Sequence, residues 1–220
     1  MSGTDEPGAD LVIFDNDGVV VDSEVLANGV LADLLTELGH STTLEQSIAT
    51  YLGGTLAGVR TIVEARSGAP LPADFEDTYH RRIFAAFDAG LRPVPGIRAV
   101  LEKLAAPYCL ASSGTRERIV RSLTVTGLLS FFEDRIFSAE DVTHGKPAPD
   151  LFLHTASRMG TAPGRCVVIE DSANGVEAAR AAGMRVLGYA ALTPADRLQG
   201  ADAIFASMDE LLGLLDTLPP

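Results

Sequence analysis

The sequence predicts an α/β fold, a parallel sheet with helices on both faces, interrupted once by an inserted all-helical block. Two observations carry this expectation. From Pro93 onward, short apolar runs rich in branched side chains alternate with helical segments, the texture of strands joined by crossover helices. A matching run, Leu11 to Phe14 (LVIF), stands near the start, cut off from the others by residues 24–92, where nothing strand-like occurs.

The elements follow in order. LVIF is short and wholly apolar, as a strand buried on both faces must be, and it stops at Asp15, Asn16, Asp17 and Gly18. Glu24 to Leu38 reads as a helix, with apolar positions at Leu26, Val30, Leu34, Leu35 and Leu38 and a stop at Gly39. Helical patterning continues over Thr43 to Leu52, Ala57 to Arg66 and Phe75 to Phe87. PVPG, Pro93 to Gly96, is a turn and marks a boundary. The domains are therefore expected at residues 1–22 with 93–220 (core) and 23–92 (helical insertion). After the boundary come a helix (Ile97 to Leu104), a strand (Tyr108 to Ala111) and a helix opening near Thr115. A short strand at Ile136 and Phe137, a helix (Ala148 to Met159) and the strand CVVI (Cys166 to Ile169) come next. A helix (Gly175 to Ala182), a strand (Arg185 to Gly188) and a C-terminal helix complete the alternation.

Composition narrows the function. The chain has 220 residues, 46% hydrophobic and 21% charged, with a formal net charge of -13. That envelope repels phosphate backbones and anionic lipids, so neither a nucleic-acid nor a membrane partner is expected. No run approaches the roughly 18 apolar residues of a membrane span. The start, MSGTDEPGAD, lacks the basic and apolar regions of a secretory signal, so a cytoplasmic location is expected. Cys109 and Cys166 both lie in apolar strands and read as buried hydrophobes rather than a disulfide or metal pair.

Three strands end in polar clusters: Asp15, Asn16, Asp17 after the first, Ser112, Ser113, Gly114 after YCLA, and Glu170, Asp171, Ser172 after CVVI. The carboxyl ends of parallel strands share one edge, so the clusters should converge there. Asp15, Asp17, Glu170 and Asp171 would then crowd four carboxylates together, an arrangement that like-charge repulsion opposes. A hard, oxygen-seeking cation resolves the conflict, and Mg2+ suits few carboxylates plus waters and a phosphate oxygen. Lys146, in the turn HGKPAPD between two core strands, is a candidate partner for the carboxylates and a phosphate. Ser112, before the next helix, reads equally as a phosphate ligand or a helix cap.

These residues resemble the haloacid dehalogenase-like superfamily. FDNDGVVVDSE resembles its first motif, D-x-D-G with a flap and D-S-E; ASSG stands at the second motif's Ser/Thr; GKPAPD resembles the third; IEDSANGVEAARAAGM resembles the fourth. All four occur in order from Leu11 to about Gly188, and the insertion matches the cap position of the beta-phosphoglucomutase and phosphoglycolate phosphatase branch. The resemblance implies a Rossmann-like core, an α-helical cap domain, Mg2+ and an aspartyl-phosphate intermediate. It makes Asp15 the nucleophile and Asp17 the general acid, then base. Asp15 and Asp171 would bind Mg2+ by side chain, Asp17 by its carbonyl, and Glu170 directly or through water. Ser112 and Lys146 would hold the transferring phosphoryl group. Asp17 argues against a dehalogenase, whose nucleophile motif lacks this second acid.

The implied activity is hydrolysis of a small phosphorylated metabolite, a sugar or polyol phosphate, by a monomer or weak homo-oligomer. The alternatives are a sugar phosphomutase and, less favoured because Asp15, Asp17 and Lys146 are all present, a non-catalytic binding module. Ala27 and Leu56 stand where the mutase carries a histidine and a phosphate-binding arginine, which favours the phosphatase. Ser113, Gly114, Arg116, Gly54 and Arg60 are the expected substrate contacts; Arg60 is also a substitute for the missing arginine. Gly53, Thr55, Tyr79, His80, Arg81 and Arg82 are further candidates for specificity.

Overall fold

The computed structural model describes residues 9–218; most of the N-terminal segment considered above lies outside them. In chain order the elements are β1 (Leu11–Phe14), α1 (Glu24–Glu37), α2 (Leu44–Tyr51), α3 (Leu56–Ser67), α4 (Phe75–Gly90) and α5 (Ile97–Lys103). There follow β2 (Tyr108–Ser112), α6 (Arg116–Val125), α7 (Leu129–Phe132), β3 (Ile136–Ser138), α8 (Asp150–Met159) and β4 (Cys166–Glu170). The chain then forms α9 (Ala173–Ala181), β5 (Arg185–Tyr189), β6 (Ala203–Phe205) and α10 (Leu211–Thr217). It divides into two compact units: the described residues up to Val21 with those from Pro93 onward, and Asp22–Arg92.

The first unit is a six-stranded sheet in the order β3-β2-β1-β4-β5-β6, parallel throughout. This is the Rossmann-like order. The chain leaves β1 toward β2 and β3, then returns to the other side of β1 with β4, so the strand order reverses beside β1. All four residues of β1 are fully buried, which is why LVIF is continuously apolar rather than alternating. Leu11 and Ile13 join the core with Leu151, Phe152 and Ala156 of α8 and Val176, Ala178 and Ala179 of α9. The Phe14 ring stands edge-on to Tyr108, which meets Phe132 of α7 in the same way. Cys109 pairs with Ile13 and Cys166 with Leu11, so β1 separates the backbones of the two cysteines by two strand spacings, roughly 10 Å. That is beyond disulfide reach, and both cysteines are buried and free.

The second unit is entirely helical. It buries Leu31, Leu34 and Leu35 of α1, Val59 and Val63 of α3, and Phe75, Tyr79, Ile83 and Phe87 of α4. Thr43 opens α2 with a capping box to Gln46. Buried Asn28 accepts a hydrogen bond from Ser47 at 2.9 Å. Arg82 of α4 grips Glu37 of α1 through both guanidinium nitrogens, at 2.8 and 2.7 Å.

Several elements differ from expectation. β2, β4 and β5 each run one residue further, so Ser112 and Glu170 are still in the ladder, opposite Ser138 and Gly188. The helices α8 and α9 begin at Asp150 and Ala173 rather than at Ala148 and Gly175. The strand β6 and the single turn α7 were not anticipated. β6 is a three-residue strand at the sheet edge with Ile204 exposed, too short and too open to leave a hydrophobic pattern. No helix among the described residues is long and apolar enough to cross a membrane.

Candidate active site

The site is built at the carboxyl ends of β1, β2 and β4. Asp15 continues the β1 ladder: its N–H donates to Ile169 O at 3.0 Å, which holds its buried side chain beside β4. Lys146 arrives from the loop before α8, its side chain only 3% exposed. Its ammonium donates to Asp15 Oδ1 at 2.6 Å, to Glu170 Oε1 at 2.6 Å and to Ala111 O at 3.1 Å. All three N–H groups are thereby used, and one cation ties the ends of three neighbouring strands. Its Nζ also lies 4.8 Å from the centre of the buried Phe152 ring. The other oxygen of Glu170 accepts from the N–H and hydroxyl of Ser172 at 3.0 and 2.8 Å.

Burial is the main influence on Asp15 and pushes its carboxyl well above the usual range; Lys146 opposes this, while Glu170 and Asp17 add to it. Burial alone would lower Lys146, but the carboxylates of Asp15 and Glu170 outweigh it and hold the ammonium charged.

Two glycines make room for the acids. A Cβ on Gly18, whose φ is +79°, would lie 2.0 Å from Asp171 Oδ2, so this turn needs glycine for both its conformation and the carboxylate packed on it. A Cβ on Gly175 would lie 1.8 Å from Glu170 Cδ. The G of DNDG and the G of DSANG are thus the places where backbone and carboxylate meet. Ser112 is buried at the end of β2, and its Oγ accepts the N–H of Gly114 at 3.0 Å. Ser113 and Gly114 form the turn that follows, before the α6 N-cap Thr115.

Asp17 is engaged by residues that the motif reading did not single out. Arg118 of α6 donates to Asp17 Oδ1 at 2.6 Å, with both side chains largely buried. Asn16 is fully buried and donates to Ser122 Oγ of α6 at 3.2 Å and to Asp17 Oδ2 at 3.4 Å. A signal was available: Arg116 and Arg118 both fall in the first turn of the helix that follows the Ser112 cluster, but spacing alone cannot say which guanidinium turns inward.

Two expected substrate contacts are placed differently. Arg116 bonds both oxygens of Asp141, at 3.1 and 2.9 Å, and Ile136 O at 3.2 Å, so its fork is spent fastening α6 to β3 and the turn after it. In the helical unit, Arg60 bonds Glu64 at 3.2 Å, Leu71 O at 3.1 Å and Pro72 O at 3.2 Å, with Glu76 at 3.6 Å and its guanidinium carbon 5.6 Å from the Phe75 ring centre. It is a brace between α3 and the start of α4. Gly54 is exposed, its N–H donating to Tyr51 O in the turn before α3.

The donor set fits a magnesium ion. Every ligating group at this edge is a carboxylate or backbone carbonyl oxygen, the set that hard cations choose. The cluster brings four carboxylates to two cations, an excess of negative charge that a divalent ion offsets. Among the described residues no three His, Cys, Asp or Glu side chains close into a cage.

Comparison with known proteins places this geometry. Residues 9–183 match the haloacid dehalogenase-like hydrolase family. The chain is 30% identical over 181 residues to 6-phosphogluconate phosphatase of Escherichia coli (strain K12), covering 82% of each protein. A haloacid dehalogenase-like protein of unknown function from Agrobacterium tumefaciens str. C58 superposes with a TM-score of 0.86 at 37% identity, over 94% of this chain and 97% of the other. A HAD family hydrolase from Deinococcus radiodurans R1, solved with phosphate and sodium bound, gives 0.78 at 32% identity over 98% and 100%. With the parallel sheet, the acids at its carboxyl edge and a match over most of its length, the chain belongs to the haloacid dehalogenase-like hydrolase family.

Proposed function

We propose that this protein is a Mg2+-dependent phosphatase that hydrolyses a small phosphorylated metabolite, a sugar or polyol phosphate, through an aspartyl-phosphate on Asp15. The observation that carries the reading is Lys146 held 2.6 Å from both Asp15 and Glu170 at the ends of β1 and β4, with Asp17 two residues beyond the first. The enzyme class, a phosphoric monoester hydrolase, is that of its phosphatase relative.

In this reading an Asp15 oxygen attacks phosphorus and the ester P–O bond breaks, while Asp17 gives its proton to the departing alkoxide. Asp17, now a carboxylate, takes a proton from water as the water oxygen attacks phosphorus; the Asp15–P bond breaks and phosphate leaves. Lys146 offsets negative charge beside the nucleophile, and Ser112 with the N–H groups of Ser113 and Gly114 receives phosphoryl oxygens. Asp15 and Asp171 by side chain, Asp17 by its carbonyl and Glu170 directly or through water are the proposed magnesium ligands. The ion supplies Lewis-acid stabilisation of the transferring phosphoryl group. We assign the helical unit, residues 23–92, the role of a cap that sets substrate choice. Ala27 and Leu56 cannot donate to a second phosphate, and Arg60 is committed to its own unit, which favours the hydrolase over a mutase.

Release of inorganic phosphate over a panel of sugar, polyol and nucleoside monophosphates with and without Mg2+ is the test. Asp15→Asn is expected to reduce turnover at least about a thousandfold while leaving the fold intact, because an amide cannot attack phosphorus. Turnover of the Asn variant near the wild-type rate would overturn the mechanism. Incubation with beta-glucose 1-phosphate and catalytic glucose 1,6-bisphosphate separates the classes. Efficient formation of glucose 6-phosphate with little free phosphate would mark a mutase.

A further inference from the structure

We propose that Arg118 is a positioning residue for Asp17: it holds that carboxylate where it serves the leaving group, an inference that rests on the phosphatase reading above. Arg118 Nη2 reaches Asp17 Oδ1 at 2.6 Å across 101 residues of sequence, and the two side chains are only 14% and 17% exposed. The second carboxylate oxygen receives Asn16 Nδ2 at 3.4 Å. Asn16 is in turn fastened to Ser122 Oγ at 3.2 Å, and Ser122 donates to Ile119 O at 2.9 Å. Both oxygens of Asp17 are therefore tied, directly or through one amide, to the same helix, α6.

The local chain is shaped for this contact. Thr115 caps α6 by accepting the N–H of Arg118 at 3.3 Å. Arg116, two residues earlier, points to Asp141 instead, so of the three arginines of α6 the first fastens β3 and the second holds Asp17. Asp17 follows a strand end and precedes a glycine turn, and its carboxylate receives the side chains of Arg118 and Asn16. A proton donor must lie within hydrogen-bond reach of the atom it serves, and a displacement of about 1 Å can cost about a hundredfold in rate. A charge-assisted bond to an arginine fork supplies the needed direction.

The test compares wild type, Arg118→Met and Arg118→Lys on two esters. Glycerol 3-phosphate has an alkoxide leaving group that needs a proton; the nitrophenolate of p-nitrophenyl phosphate leaves without one. Because kcat/KM reports only the steps through the first irreversible transfer, it isolates the stage at which Asp17 acts as acid. For Arg118→Met, kcat/KM on glycerol 3-phosphate is expected to fall about 30- to 100-fold, the scale of a misplaced general acid. On p-nitrophenyl phosphate the fall is expected to stay within about threefold, and Arg118→Lys should restore much of the lost rate. An equal fall on both esters would assign Arg118 to phosphate binding or to fold maintenance and overturn the proposal, as would no fall on either. A crystal structure of Arg118→Met adds an arm independent of turnover: the Asp17 carboxylate is expected to leave its wild-type place, and finding it unmoved would also overturn the proposal. Wild-type protein that releases no phosphate from either ester would sink the phosphatase reading, while the crystallographic arm still decides the role of Arg118.

Discussion

Asp15 and Lys146 show how a small number of atoms sets the chemistry. Taking a carboxylate and an ammonium out of water is costly, and it is sustained only when each charge is well hydrogen-bonded. Lys146 meets that condition with three acceptors. Asp15 is less well served, and burial pushes its carboxyl up to about 8. In the metal-free protein the folded state therefore keeps a proton that the unfolded chain releases above about pH 4. Because the folded state binds more protons in this window, its stability declines as pH rises from about 4 to about 8. Mg2+ competes with that proton, so the rise in Tm produced by Mg2+ is expected to be larger at pH 8 than at pH 5. Thermal melts at the two pH values, with Asp15→Asn as the control that removes the difference, check this. Equal shifts at both would refute it.

At the scale of elements, α6 and α8 place the charged groups. Helix α8 carries Phe152, fully buried in the sheet core and 4.8 Å from Lys146 Nζ. It therefore links hydrophobic packing to the position of the lysine. Phe152→Ala is expected to cost about 3–5 kcal/mol of stability, from lost transfer energy and the cavity left behind. The neighbouring Leu153→Ala, at a 40% exposed position, should stay within about 0.5 kcal/mol. Urea melts of the two variants provide the measurement, and equal losses would mean that α8 packs by a different face. The same logic explains which elements the sequence disclosed. LVIF, YCLA and CVVI are buried on both faces and bounded by polar residues, so their pattern is local and strong. The three residues of β6 join the sheet only through pairing with β5, a non-local contact that leaves no mark on the sequence.

For the whole molecule, the order of strands does what no single segment could. It brings the ends of β1, β2 and β4 side by side from positions more than 150 residues apart, Asp15 to Glu170. It also separates Cys109 from Cys166 by the full width of β1. Burial pushes the Cys166 thiol up to about 11 and the Cys109 thiol higher still. The native protein is expected to leave both thiols unreacted toward Ellman's reagent at pH 8, with two thiols appearing on denaturation. Rapid reaction of the native protein would contradict this packing.

By itself the sequence determined the α/β class, the helical interruption, and the sheet edge at which Asp15, Asp17, Ser112, Lys146, Glu170 and Asp171 gather. Strands buried on both faces must be apolar, and the polar residues that end them must fall at the exits of the sheet. Only the tertiary structure decided which cations serve that edge. Arg116 and Arg118 are two residues apart on one helix and so point to different sides, one captured by Asp141 and the other by Asp17. Arg60, an expected substrate contact from the sequence, is taken up by Glu64, Glu76 and two carbonyls of its own unit. A guanidinium goes to whichever acceptors the fold brings within about 3 Å; Glu64 is an i+4 neighbour of Arg60, but Asp17, Asp141 and the Leu71 and Pro72 carbonyls are reached only through packing.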